Sequence, residues 1–233
     1  MKKIFIIISV TFIGITSHIA NCQDIPVQLN DFYSVRLKQI SESEYTAQKT
    51  ASKHLRHKPY QVIADISQAQ KMLGRRLKLV KVTEGDFSYN ATEITFKDGK
   101  KQRLDWENEF RAYFPELNVL LFQGGHTSDR PFDLSDSANE RNGNPYYHAV
   151  SPDKQLRING IDPGQEGIIY WLEKWNKSKK KYEFIGYFSD DNSIFYYSKD
   201  WFWTSNSKAF FKHGWDDYAL YYEVDICLDC AND

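Results

Sequence analysis

From residue 116 onward, short segments rich in apolar and aromatic residues follow one another along the chain, and this pattern predicts a series of short β-strands. Turn-forming residues separate these segments, and no segment with a helix-length period lies between them. We therefore expect a mainly β fold of antiparallel sheets, arranged as a sandwich or as incomplete propeller-like hairpins. The predicted strands span residues 118–122, 146–150, 155–159, 168–175, 181–188, 195–198, 209–212 and 219–224.

The first half of the chain shows fewer regular patterns. Residues 77–82 alternate like a strand. Residues 92–96 and 102–104 flank a turn at 97–100, whose Asp-Gly pair can supply the positive φ angles that a tight hairpin requires. These segments add a hairpin to the predicted sheets.

Two short helices are expected at the periphery of the sheets. Residues 67–73 begin with Ser67 as a candidate N-cap and are followed by a glycine. Residues 106–112 follow Asp105, which is also a favourable N-cap residue. Residues 27–55 are polar and weakly periodic.

The N-terminus has the layout of an export signal. Lys2 and Lys3 precede a 12-residue apolar run at positions 4–15, and small or polar residues follow it. Such a run is too short to cross a bilayer. We expect a signal peptide over residues 1–22 and a single mainly β domain over residues 23–233.

Two processing routes for this signal stay open. Cleavage after Cys22, with the small Ala20 at the third position before the cut, would give a soluble protein. The four residues from Ile19 to Cys22 also resemble a bacterial lipobox, which implies acylation of Cys22. The expected location is the periplasm, the outer membrane or the outside of the cell, and a lipid anchor at Cys22 is the only membrane contact that we expect.

A second feature that depends on compartment is the cysteine pair near the C-terminus, Cys227 and Cys230. A zinc site would need another ligand pair at matching spacing, which the sequence lacks. Outside the cytoplasm, two cysteines at this spacing are expected to form a local disulfide.

Charge and composition exclude several classes of protein. The chain has 41% hydrophobic residues, which is typical of a globular domain. Its 30 Lys and Arg are balanced by 31 Asp and Glu, so it lacks the basic excess with which nucleic-acid binders neutralise phosphates. We therefore expect no nucleic acid as a partner.

One internal repetition relates residues 150–158 to residues 203–211, at an offset of 53 positions. Each copy is a turn that leads into a strand, with Pro152-Asp153 in the first and Ser205-Asn206 in the second. We predict that these turns are equivalent, and that Asp or Asn bonds the backbone two residues onward. The turns resemble those of TolB-type β-propeller repeats, where a Ser-Pro-Asp-Gly-Lys turn enters a strand of each blade; the first copy lacks that glycine.

The sharpest candidate for catalysis is the segment from Gly124 to Asp129, which holds His126 after a double glycine. An exported hydrolase could use His126, Asp129 and Glu166, provided that the fold brings them together. The alternative is a glycine turn whose polar side chains bond local backbone. No HExxH or paired-His motif exists, so we expect neither a metal nor a cofactor, and the sequence leaves open whether the protein is an enzyme.

Aromatic residues are concentrated in the C-terminal half. More than half of the 15 Tyr, 15 Phe and 6 Trp lie within residues 170–222. They occupy both odd and even positions of the predicted strands, so both faces of the sheet carry aromatic side chains. This indicates either a sheet buried between two layers or an exposed surface for a glycan or a partner protein. The candidate binding residues are Trp171, Trp175, Trp201, Trp203 and Trp215.

These observations support three hypotheses about function. The first is a non-catalytic binding module for an envelope protein or glycan, the second an exported hydrolase, and the third an envelope immunity or inhibitor protein. Asp136-Ser137-Ala138 resembles the O-glycosylation acceptor of exported Bacteroidetes proteins. The whole chain resembles small envelope proteins of unknown function from that group, which implies a location and no activity.

Overall fold

A computed structural model describes residues 25–138, 141–165, 167–188, 194–215 and 218–228. Strands make up 48% of the structure, and these described segments form four antiparallel sheets and two short α-helices. The predicted fold class is therefore confirmed.

The elements follow one another in a simple order, with both helices in the first third of the chain. The helices are α1 (Glu42–Ala51) and α2 (Ile66–Leu73). The strands are β1 (Ile25–Gln28), β2 (Tyr33–Ile40), β3 (Leu77–Glu84), β4 (Phe87–Thr95), β5 (Lys101–Leu104), β6 (Glu109–Phe114), β7 (Val119–Gln123), β8 (Asp129–Asp133), β9 (Ala149–Val150), β10 (Leu156–Ile161), β11 (Ile169–Asn176), β12 (Lys181–Tyr187), β13 (Ser198–Trp203), β14 (Lys208–His213) and β15 (Leu220–Leu228).

Two of the sheets pack face to face. Sheet I has the order β1-β2-β15-β14-β13, and sheet II has the order β12-β11-β10-β9. Their inner faces share one core, in which Leu37 and Val224 of sheet I and Ile158 and Leu172 of sheet II are fully buried. Burial of each such side chain stabilises the fold by about 1.5–3 kcal/mol, so the shared core holds sheet II against sheet I.

Aromatic rings fill much of this shared core. The Trp201 and Phe211 rings stack at 4.4 Å, and Phe195 and Phe188 pack on the same group. The aromatic-rich clusters predicted for the C-terminal half are therefore present in the structure.

The other two sheets form a second core. Sheet III has the order β3-β4-β5, and sheet IV has the order β6-β7-β8. Leu77, Ile94, Leu120 and Phe122 are buried there together with Ala69 from α2. The β6–β7 turn and β8 of sheet IV approach the outer face of sheet II.

One of the two predicted helices is confirmed and the other is wrong. Helix α2 covers the predicted segment, but its N-cap is Asp65, whose carboxylate accepts a 2.7 Å hydrogen bond from Gln68 N. The segment predicted as a helix at 106–112 instead enters β6, because pairing with β7 outweighs weak helix propensity. Asp105 closes a turn by accepting a hydrogen bond from Glu107 N.

Helix α1 was not predicted, although its start carries a capping pattern. Ser41 Oγ accepts from Glu44 N at 3.2 Å, which matches the Ser-x-x-Glu arrangement. Only Tyr45 of this helix is buried, so it lacks the apolar stripe on which helix prediction depends.

Two predicted strands also differ in detail. In the segment predicted at 195–198, residues 195–197 form a turn and β13 begins at Ser198. The segment predicted at 146–150 starts in a 3-10 turn, Pro145–Tyr147, in which Asn144 Oδ1 caps Tyr146 N, so only Ala149–Val150 pairs as β9.

The repeated turns lie at equivalent positions, between β9 and β10 and between β13 and β14. Asp153 Oδ1 accepts from Gln155 N at 3.0 Å, two residues onward as predicted, and also from Ser151 Oγ. Asn206 instead accepts from Asp153 N at 3.1 Å, so the two turns bond to each other.

Candidate functional site

A large open cavity, which we call the cleft, lies on the outer face of sheet II and has a volume of about 1420 Å³. Strands β10, β11 and β12 form one wall. The opposite wall comes from the β6–β7 turn, the end of β8 and the loop before α2. Side chains that carry the chemistry of this cleft are His57, Tyr60, His148, Lys154, Arg157, Glu173, Trp175, Lys180, Tyr182 and Phe184.

Strand alternation decides which residues reach the cleft. Ile158 and Leu172 point into the core shared with sheet I, so their neighbours Arg157 and Glu173 occupy the opposite face. Arg157 stands directly across from Glu173 in the β10–β11 register. This cross-strand position places opposite charges beside each other at the floor of the cleft.

Glu173 is the centre of a saturated hydrogen-bond network. Its Oε2 accepts from Arg157 Nε at 2.6 Å and from Arg157 Nη2 at 2.5 Å. Its Oε1 accepts from Trp171 Nε1 at 2.8 Å and from Asn159 Nδ2 at 3.0 Å. Since Glu173 is only 5% exposed, these four donors replace the water that the carboxylate loses. The network fixes the geometry of the floor.

Aromatic rings continue this floor toward the β11–β12 turn. The Arg157 guanidinium carbon lies 4.2 Å from the centroid of the Tyr182 ring, and Tyr182 packs edge-on against Trp175 at 5.1 Å. The Tyr182 hydroxyl donates to Lys154 O at 2.9 Å, and burial raises the pKa of Tyr182 to about 12. A second cation, Arg141, stacks on Phe184 at 4.3 Å.

Two histidines flank Tyr60, with His57 in the loop before α2 and His148 directly before β9. The Tyr60 ring lies 4.9 Å from His57 and 5.6 Å from His148, and His148 Nδ1 is 3.3 Å from the Tyr60 hydroxyl. Burial, followed by the charge of Arg157, holds the pKa of His148 well below its ordinary value of 6.5. Burial and then Lys154 lower the pKa of His57 in the same way. Both rings are therefore neutral at pH 7.

Two of the three predicted catalytic residues, His126 and Asp129, lie outside this cleft. His126 is exposed on a turn after β7, where its Nδ1 is 2.9 Å from Gln165 Nε2. Asp129 accepts from Asn144 Nδ2 and from Asp162 N, both at 2.9 Å. Burial raises the pKa of Asp129, and its two bonds tie β8 to neighbouring loops. Glu166 lies outside the described residues.

The five candidate tryptophans have different environments. Trp171 and Trp203 are each 3% exposed, so they cannot contribute to an exposed binding surface. Trp201 packs against the sandwich core. Trp175 lines the cleft, and Trp215 is 75% exposed elsewhere on the surface.

Sequence reasoning missed Arg157, Glu173 and Tyr182, although β11 held a signal. Glu173 stands between Trp171 and Trp175 at alternate positions, so an acid shares one face of the strand with two aromatic rings. An acid on an otherwise aromatic strand face needs buried donors. Three of the four donors come from Arg157 and Asn159 of β10, and the sequence alone does not give the register that pairs β10 with β11.

No protein-family model, curated protein or solved structure matches this chain. In the segments that the structure describes, no helix is long and apolar enough to span a membrane. Those segments also hold no cluster of three or more His, Cys, Asp or Glu side chains that could bind a metal ion. The function proposed below rests on the geometry of the cleft.

Proposed function

We propose that the protein is an exported, non-catalytic binding module whose cleft binds a glycan. The observation that carries this proposal is the outer face of sheet II, where the Trp175, Tyr182 and Phe184 rings adjoin the fixed Arg157–Glu173 network. Sugars have apolar C–H faces that pack on aromatic rings, and hydroxyls that bond planar polar side chains. The cleft exceeds the usual 300–1,000 Å³ of small-molecule pockets, which favours a ligand of several sugar units.

The state of the charged groups supports binding over catalysis. A catalytic carboxyl needs an oxygen that is free to exchange a proton with the substrate. Both oxygens of Glu173 already accept two bonds each from protein donors. His126 and Asp129 have other partners and lie elsewhere.

Export is supported by the layout of residues 1–22 and by Cys227, which is disulfide-bonded. Its partner falls outside the described residues, as do both other cysteines, Cys22 and Cys230. Disulfides persist in oxidising compartments. We place the protein in the cell envelope or outside the cell, either soluble or anchored through Cys22.

Affinity electrophoresis in gels that contain single polysaccharides tests the proposal. The Tyr182→Leu and Trp175→Leu variants should each lose about tenfold in affinity for a retained polysaccharide, which corresponds to about 1.4 kcal/mol. Trp215→Leu, which alters an exposed aromatic side chain away from the cleft, is the matched control. Loss of binding in Trp215→Leu alone would place the ligand on that surface and refute the cleft.

A further inference from the structure

Two lysines of the cleft occupy backbone positions that favour glycine. Lys154 has φ +60° in the β9–β10 turn, and Lys180 has φ +52° in the β11–β12 turn. The left-handed region is costly for residues with a Cβ atom, and such residues concentrate at functional sites. The sequence therefore has lysine at two positions where the backbone favours glycine.

Neither lysine has a carboxylate partner in the part of the chain that the structure describes. The residues on either side of Lys180 do have such partners. Lys179 pairs with Glu183 at 2.6 Å, and Lys181 pairs with Asp136 at 3.4 Å. Each acid that lines the cleft interacts with a protein group other than these two lysines. The acids are Glu116, Asp133, Asp136, Glu173 and Glu183.

The surroundings of Lys154 add to the positive character of the cleft. The carbonyl of Lys154 is held by the Tyr182 hydroxyl, whose ring also stacks on Arg157. This places the start of the lysine side chain beside the aromatic floor. The charge of Lys154 is one reason why the pKa of His57 is lowered, so its field reaches the opposite wall. An anionic group bound here would meet Lys154 and Lys180, which form no ion pair within the described residues.

We propose, on the basis of the glycan-binding function above, that the ligand is acidic and that its carboxylate or sulfate groups bind Lys154 and Lys180. The two lysines stand at different turns along the rim of one cleft, which suits a polymer with charges on successive units. Lysine suits this role because its flexible stem carries a compact charge that can follow groups spaced along a chain.

Matched pairs of polysaccharides separate this inference from the proposed function. Polygalacturonate is compared with its methyl-esterified form, and dextran sulfate with dextran, by affinity electrophoresis of the full-length protein. We expect at least one acidic member to bind five- to tenfold more tightly than its neutral partner, and the pair that shows this difference distinguishes carboxylate from sulfate. Equal retention by both members of each pair would overturn the inference and leave the cleft function standing. Retention by none of the four would refute both.

Variants assign the preference to these residues. Lys154→Gly and Lys180→Gly suit the local backbone, so they should fold with unchanged or higher melting temperature. Each should lose about fivefold in affinity for the preferred acidic member and bind the neutral member as before. Lys78→Gln removes an exposed charge from β3, outside the cleft, and is the control. If Lys78→Gln weakens binding equally, the retention reflects overall charge and the proposal fails.

Discussion

The Arg157–Glu173 pair at the floor of the cleft offers the most direct test of the structure. The Glu173→Ala substitution leaves the Arg157 guanidinium, Asn159 Nδ2 and Trp171 Nε1 without their acceptor. Removing one partner of a buried ion pair costs about 3–5 kcal/mol. The Arg157 side chain is 13% exposed and can turn toward water in the cleft, which reduces this cost. We therefore expect the free energy of unfolding to fall by about 3 kcal/mol, the lower end of that range.

Urea-induced unfolding, followed by tryptophan fluorescence, measures this loss as a fall in the free energy of unfolding. Glu183→Ala is the matched control, since Glu183 also accepts from an amide and a cation, yet its pair with Lys179 is exposed. Such surface pairs contribute about 0–1 kcal/mol. Adding Arg157→Met to Glu173→Ala should restore part of the stability, because the unpaired charge is then gone. An equal loss in Glu173→Ala and Glu183→Ala would refute the buried network.

Three further predictions concern single side chains. Asp153→Ala removes the turn bonds to Gln155 N and Ser151 Oγ and should lower the free energy of unfolding by about 1 kcal/mol, with glycan binding unchanged; lost binding at an unchanged melting temperature would contradict this structural role. Lys154→Gly relieves about 1–2 kcal/mol of left-handed strain against about 0.5–1 kcal/mol of added chain entropy, so the melting temperature should rise by a few degrees in a thermal scan. The folded-state pKa of His148 lies below its ordinary 6.5, so the unfolded chain takes up the proton first as the pH falls; the urea midpoint should decline from pH 7.5 to 5.5, and less steeply in His148→Gln.

How far the sequence predicts the fold depends on the range of the interactions involved. The β10–β12 hairpins and the Asp153 turn follow from short apolar segments and turn chemistry, and the structure contains them. Strand β6 was mistaken for a helix because its partner β7 decides its conformation. Asp105, which precedes this segment, is as compatible with a turn as with the start of a helix, because its side chain bonds the backbone in either case.

The cleft was less predictable than the fold for a related reason. Its walls come from residues as far apart in sequence as His57 and Phe184, and only the packing of sheet IV near sheet II brings them together. A local signal, such as an acid between two tryptophans, marks a strand face that contains an unusual polar residue. It does not show which part of the chain packs against that face. The double glycine before His126 is a strong local signal, yet it belongs to a turn outside the cleft.

A single irregularity in sheet II decides which aromatic residues reach the cleft. The β11–β12 register shifts between Leu172 and Glu173, so Leu172 pairs with Gly186 while Glu173 pairs with Phe184, and Ile185 is left over. Without this bulge Glu173 would pair with Ile185, and Phe184 would change faces, because side chains alternate with a period of two.

Sheet I holds this bulge in place through the loop between β1 and β2. Asn30 Nδ2 donates to Ile185 O at 2.9 Å, and a Cβ atom on Gly186 would lie 2.3 Å from Leu29 O. Only glycine allows the loop to approach so closely. The bond satisfies the carbonyl that the bulge removes from the strand ladder, and the Ile185 side chain packs against the sandwich core. The cleft therefore depends on a contact made on the far side of sheet II, where the loop from sheet I fixes the register that turns Tyr182 and Phe184 toward the cleft.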